Sequence, residues 1–445
     1  MIGFALKKMP PSRILLLVFV VAIFVGSFLL LLPAAVTPGN KIGYLTSIFT
    51  VTSAVCVTGL TVVDVSKVFS PFGQSVILFF IQLGGLGIMT FSSILFMMIG
   101  KRITYHEMKI LKEDLNAENT GEIVQLVKRL VMIVFTIEII GTIFLTLEFL
   151  KEMPFKKALL FGIFHSISAF CNAGFSLFTT GLEGYSGSVI INLTIALLII
   201  LGGIGFAVIS SFISYYKTKK KRFNLSSKMV LRISTILTLG GMVLFFALEY
   251  RNPLTIGKMN FFHKIMASFF QSVTTRTAGF NTVPIGSLTP GTIFLFCVLM
   301  FIGASPGSTG GGIKTTTFGV IMVYVVGIVR GQEDIEISNR RITWQILNRA
   351  LAILVISVAY VSTIILIMLM TDHLGFSETI FEVISAFGTV GLSMGVTADM
   401  NEFSRILIII TMLIGRVGPL TFALALGEQS KKKERKYPKE NILIG

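Results

Sequence analysis

Four short strings recur along the chain: TSAVCVTGLTV at 52–62, SISAFCNAGFS at 166–176, SVTTRTAGFNT at 272–282 and ISAFGTVGLSM at 384–394. Aligned, they place one glycine in register, at Gly59, Gly174, Gly279 and Gly391, each followed by Leu or Phe. The chemistry such a set can do is ion coordination by main chain. Four similar units around one axis give four equivalent backbone turns. Their carbonyl oxygens can replace water around a monovalent cation. Glycine suits such a turn because inward-facing carbonyls need unusual φ/ψ, which a Cβ obstructs, and because a side chain would narrow the conduit. The residues expected to line this filter are Val57, Thr58 and Gly59; Asn172, Ala173 and Gly174; Thr277, Ala278 and Gly279; and Thr389, Val390 and Gly391.

A second landmark follows each glycine: LGGLGI at 83–88, LGGIGF at 201–206, IGASPG at 302–307 and IGRVGP at 414–419. Its glycines read as helix-packing positions, where small residues let backbones approach. The third landmark opens a longer interruption, GASPGSTGGGIKTTT at 303–317, set between two apolar stretches. Five glycines, Pro306 and seven polar or cationic side chains cannot sit in lipid, so the segment must line or block a polar cavity. Gly303, Ala304, Ser305, Pro306, Gly307, Gly310, Gly311, Gly312 and Lys314 are its expected gate residues, with a static plug or hinge as the plainer reading. Arg416, in the fourth landmark, is costly in lipid and should face the interior, repelling permeating cations or holding the loop through backbone carbonyls.

These residues need a membrane to work in, and the composition supplies one. The 445 residues are 53% hydrophobic and 13% charged, with mean hydropathy +0.84. Soluble chains carry about a quarter charged residues, so an integral membrane protein is the class that remains. The net charge of +16 does not indicate nucleic acid. Of the 38 Lys and Arg, 26 fall in five runs (the N-terminus, 101–129, 217–232, 330–349 and the tail 431–439) that alternate with the other linkers. The positive-inside rule then puts both termini and three basic loops in the cytoplasm. Eight apolar stretches reach spanning length, at about 14–32, 73–99, 130–150, 188–215, 233–249, 292–329, 350–370 and 405–426. Between them, apolar segments of about ten residues such as 44–55 and 157–170 are too short to span and read as re-entrant half-helices.

The expected fold is therefore an all-α integral membrane protein of four tandem helix–pore-loop–helix units in pseudo-fourfold arrangement around a single pore. The units run 1–100, 101–217, 218–330 (last helix interrupted) and 331–427, followed by a basic tail at 428–445. GSTGGGIKTT fails the phosphate-loop spacing because Ile313 separates Gly312 from Lys314. The three cysteines and four histidines show no metal or disulfide spacing, and the histidines read as linker or helix-end residues. No enzymatic activity and no cofactor are expected.

On the four glycine-bearing loops, the GASPGSTGGGIKTTT segment and the eight-span length, the chain resembles the Trk/Ktr/HKT superfamily of potassium transporters, most closely its Ktr-type membrane subunits. The resemblance covers essentially the whole chain. It implies a potassium-channel-like filter carrying potassium, the intramembrane loop as gate, and uptake often stimulated by sodium. It also implies homodimers in a bacterial plasma membrane, in contact with lipid, and a cytosolic RCK-type nucleotide-binding ring as regulatory partner. Only the first glycine of a TVGYG-type filter recurs in all four loops, which points to fewer carbonyl sites and weaker discrimination. In plant relatives a serine at the first position goes with sodium preference; Gly59 there points to potassium. The rival readings are an alternating-access sodium/potassium symporter and a membrane scaffold without transport.

Overall fold

The computed structural model describes residues 11–87, 123–218, 224–331, 336–337 and 340–426. The basic segments at 101–122 and 219–222, the tail and the N-terminal lysines lie outside the described residues, as does the far end of the second apolar stretch.

The described residues are mostly helical. Helices α1 (Pro11–Leu30), α2 (Tyr44–Val55) and α3 (Pro71–Leu86) come first. Then follow α4 (Ile123–Phe149), α5 (Phe155–Phe170), α6 (Val189–Ile204) and α7 (Phe206–Thr218). The third set is α8 (Leu225–Glu249), α9 (Phe261–Thr274), α10 (Pro290–Phe301) and α11 (Thr315–Val329). A small hairpin of β1 (Glu336–Ile337) and β2 (Arg340–Arg341) leads to α12 (Trp344–Thr371), α13 (Phe376–Gly388), α14 (Glu402–Val417) and α15 (Pro419–Leu426).

Two kinds of helix result from two kinds of surroundings. Among the described residues four helices, α1, α4, α8 and α12, are long and apolar enough to cross a membrane, and α6 with α7 forms a fifth candidate bent by 97°. They present large apolar side chains outward, such as Phe28 at 69% exposure and Met370 at 78%, which suits lipid. The short helices α2, α5, α9 and α13 are enclosed instead. In α2 every residue from Phe49 to Val55 is buried, and α9 and α13 end in similar buried runs. Polar caps set where several helices start: Ser70, Ser188, Asn260 and Asn401 accept from backbone N–H groups of α3, α6, α9 and α14.

The packing of these elements closes on itself. The helix after each enclosed helix packs against the next enclosed one: α3 on α5, α6 on α9, α10 on α13, and α14 back on α2. Each of the eight apolar stretches contains a described helix; the stretch 73–99 is described only as far as Gly87, and the second of each later pair is broken rather than one continuous span. The breaks fall at the second landmark. Gly87, Gly205 and Gly418 end α3, α6 and α14 with φ of 83°, 98° and 94°, a region that favours glycine. The first landmark glycines do pack as expected: a Cβ on Gly84, Gly202 or Gly415 would stand 2.0, 1.9 or 2.0 Å from the carbonyl oxygen of Val55, Phe170 or Phe387. The last glycines break helices, a role the packing reading alone does not assign.

Candidate functional site

Each enclosed helix ends in the same turn. Two residues before the glycine, Val57, Asn172, Thr277 and Thr389 take φ of 56°, 58°, 68° and 49°. For three of the four this is a β-branched side chain in left-handed backbone, costing about 1–2 kcal/mol. Such strain persists where surrounding bonds hold it. Here Thr58, Ala173 and Val390 donate their N–H to the carbonyls of Ser53, Ser168 and Ser385 at 2.8, 2.7 and 2.8 Å. The serine side chains help: Ser53 Oγ accepts from Gly59 N at 3.0 Å, Ser385 Oγ accepts from Gly391 N at 3.1 Å, and Ser168 Oγ donates to the Phe175 carbonyl at 2.8 Å. The third unit has Val273 at this register, and there Ala278 and Gly279 donate to Thr274 O instead.

The four turns then meet. A Cβ on Gly59 would stand 2.5 Å from Ala173 O, one on Gly174 2.8 Å from Ala278 O, one on Gly279 2.4 Å from Val390 O, and one on Gly391 2.0 Å from Thr58 O. Each glycine thus abuts the carbonyl just before the next glycine, and the fourth returns to the first. The residues on either side are fully buried (Thr58 and Leu60, Ala173 and Phe175, Ala278 and Phe280, Val390 and Leu392), while the glycines between them are part-exposed. All four line one cavity of about 560 Å³. Two carboxylates share that cavity wall, Asp64 and Glu183. Burial pushes both up; at Asp64, bonds from Ser66 and Thr179 and the nearby Lys67 outweigh it and hold the carboxyl below its ordinary value. At Glu183 burial prevails over the Asn281 bond, and the carboxyl is raised.

The glycine-rich interruption lies against the other side of the turns. Gly311 N donates to Thr389 Oγ1 at 2.9 Å, and a Cβ on Gly310 would stand 2.0 Å from Thr277 Oγ1. The segment is tied to two of the landmarks. Ser305 N and Thr309 N donate to Gly203 O and Gly202 O at 3.1 and 3.3 Å, Phe206 N donates to Gly307 O at 2.8 Å, and Gly312 N donates to Gly415 O at 3.1 Å. Gly303 and Ala304 close its neck, with Ala304 N donating to Gly311 O at 3.3 Å and Thr315 N to Ala304 O at 3.2 Å. Pro306 is half-buried at its tip; its carbonyl would lie 2.7 Å from a Cβ on Gly205. Lys314 folds back, its Nζ donating to Gly310 O at 2.7 Å. Arg416 donates one nitrogen to Thr309 O and the other to Gly84 O, joining the loop to α3. Of its two expected roles, this geometry is that of holding the loop through carbonyls.

Sequence reading missed two polar sites. Ser53, Ser168 and Ser385 stand six residues before their glycines, visible in the repeated strings as a recurring Ser-Ala pair. His165 is not a helix-end residue but is fully buried within α5 among Phe149, Phe161, Phe178 and Phe280. Glu138, buried within α4, accepts from Gln82 Nε2 at 3.3 Å.

Comparison with known proteins gives the family. The chain is 40% identical to the Ktr system potassium uptake protein B of Bacillus subtilis, covering 98% of this chain and 97% of the relative. It is 37% identical to the protein of the same name from Vibrio alginolyticus, over 97% and 94% of the two chains. Identity is 35% to the potassium/sodium uptake protein NtpJ of Enterococcus hirae, over 99% and 98%. The fold matches the crystal structure of the potassium transporter TrkH from Vibrio parahaemolyticus with a TM-score of 0.71 at 20% identity, over 94% of this chain and 84% of that one. Residues 13–435 match the family described as TrkH, cation transport protein. A multi-pass membrane chain with four glycine turns in one closed contact ring, this protein belongs to the TrkH family of cation transport proteins.

Proposed function

We propose that the chain is the potassium-translocating membrane subunit of a Ktr-type uptake system, with one passage per chain through four pseudo-equivalent units. Potassium enters from outside through the cavity lined by Asp64 and Glu183. It loses water to main-chain oxygens around Gly59, Gly174, Gly279 and Gly391, and then meets the loop at 303–317. The observation that carries this reading is the closed sequence of contacts from glycine to neighbouring carbonyl, with all four glycines open to one cavity. Val57, Thr58, Asn172, Ala173, Thr277, Ala278, Thr389 and Val390 complete the filter; the left-handed residues among them hold its inner end.

The loop is the gate. It lies against the turns and is held there by backbone bonds, by Lys314 and by Arg416. Names of the relatives favour potassium as the cargo, and that of the Enterococcus hirae protein brings sodium into the same system. Both termini lie in the cytoplasm, where the basic segments meet a cytosolic nucleotide-binding ring of RCK type, and two chains form a homodimer. The ring contact geometry favours a central passage over an alternating-access carrier, whose site lies between two halves.

The test is potassium and sodium uptake in cells deficient in potassium uptake. Wild type should restore potassium uptake, and Gly279→Asp, inserted at equal level, should abolish it. Unchanged uptake in that variant would refute passage through the ring and support the scaffold reading.

A further inference from the structure

The four turns share a backbone shape, but what holds the chain just past each glycine differs. Nine residues before the glycine, inside the enclosed helix, stand Thr50, His165, Phe270 and Glu382. His165 and Glu382 are fully buried, and each reaches the same two groups of its own loop. Glu382 Oε1 accepts from the Ser393 hydroxyl and from Met394 N–H at 3.2 Å. His165 Nε2 lies 3.0 Å from Ser176 Oγ and accepts from Leu177 N–H at 3.4 Å. Ser176 and Ser393 are two residues past their glycines, Leu177 and Met394 three. Each serine oxygen then accepts from the N–H two residues further on, Phe178 at 3.0 Å and Gly395 at 2.9 Å.

The imidazole and the carboxylate do the same work. His165 Nδ1 lies 2.8 Å from the Phe161 carbonyl, which assigns the proton to Nδ1 and leaves Nε2 an acceptor. The first and third units have nothing equivalent at this register. The Thr50 hydroxyl bonds within its own helix to Thr46 O at 2.8 Å, and Phe270 carries no acceptor. In the third unit Gln271, one residue along, reaches Thr282 Oγ1 at 3.3 Å, and Asn281 turns outward to Glu183 at 2.7 Å. The contact order of the glycines sets the second and fourth units opposite each other.

We propose that His165 and Glu382 are positioning residues for ion selectivity: two buried acceptors, on opposite sides of the glycine ring, that fix the outward run of their loops and so hold the ring at one width. The inference rests on the glycine ring being the ion passage. Carbonyl sites discriminate between potassium and sodium through the number and spacing of their dipoles. Releasing one of two opposite loops lets the ring contract around the smaller ion. Selectivity should therefore fall while the chain still folds and conducts.

The experiment measures potassium and sodium uptake by the full chain in potassium-uptake-deficient cells, with membrane levels quantified. Glu382→Ala and His165→Ala should each lower the potassium-to-sodium ratio about tenfold and raise the potassium KM, with maximal rate largely kept. Glu382→Gln and His165→Gln keep an acceptor oxygen and should stay within about threefold of wild type. Ser393→Ala and Ser176→Ala remove the other partner and should shift the ratio in the same direction, which covers the case of an alanine variant that fails to insert. Thr50→Val and Phe270→Leu, at the same register in the other two units, should leave the ratio unchanged. Unaltered selectivity in the inserted alanine and serine variants, or an equal shift at all four registers, overturns the proposal. Gly391→Ser is measured alongside. If it shifts selectivity while the brace variants do not, the braces alone are refuted; if it too is silent, the passage reading itself fails.

Discussion

The four glycine turns and the four landmark segments recur in step along the chain, yet they have diverged to different degrees. At the turns, left-handed backbone recurs at the same two positions in every unit, from Val57 and Gly59 to Thr389 and Gly391. At the landmarks three units end their helix on a positive-φ glycine, at Gly87, Gly205 and Gly418, while the third opens into the loop that runs from Gly303 to Lys314. On the proposed reading, regularity is kept where four chain segments meet one ion on equal terms, and abandoned where one segment serves as the gate. The strain tells the same story. Threonine and valine are held in left-handed backbone at the turns, whereas the loop uses Gly307 and Gly312 for its positive φ and stores none of that strain.

The largest effects should come from breaking the regular part. A methyl group on Gly391 would stand 2.0 Å from Thr58 O, and Gly391→Ala should reduce potassium uptake by about 100-fold or more. Gly59→Ala should act in the same way. Next comes the irregular part, with the opposite sign. Deleting residues 310–312 or changing Arg416 to Ala removes what holds the loop, so flux should rise by roughly fivefold. Isotope uptake at saturating potassium reads this, and no change would deny the loop its gating role. Thr389→Gly relieves the left-handed strain but removes the hydroxyl that accepts from Gly311 N. It should spare filter selectivity more than flux control, which a comparison of the two ion fluxes separates.

The smallest effects concern the outer cavity. Asp64→Asn should raise the potassium KM about two- to threefold at low ionic strength, and added salt should erase the difference. Glu183 has a raised carboxyl, so its charge is present above that raised value and is lost as external pH falls through it, earlier than for an ordinary glutamate. Potassium KM should therefore rise on mild acidification, and Glu183→Gln should flatten that pH profile.

Much of this was legible in the sequence because repetition marks it. Aligned glycines and strings gave the turns, and long apolar runs gave the membrane-length helices. The Ser-Ala pair was in plain view but carries meaning only once the hydrogen bonds to Gly59 N and Gly391 N are seen. The bent helices were not legible, because a glycine that packs and a glycine that breaks a helix look alike in the text; Gly202 does the first and Gly205 the second. His165 and Glu382 escaped for a different reason. They differ in type, and their shared role lies in an acceptor atom at one register rather than in a shared residue.

The most direct test of the ring is to place a serine at each of the four glycines in turn and compare potassium with sodium uptake at matched membrane levels. A shared passage predicts that Gly59→Ser, Gly174→Ser, Gly279→Ser and Gly391→Ser all lower potassium preference by comparable factors. Wild-type selectivity in any one of them, with the chain inserted, would contradict it.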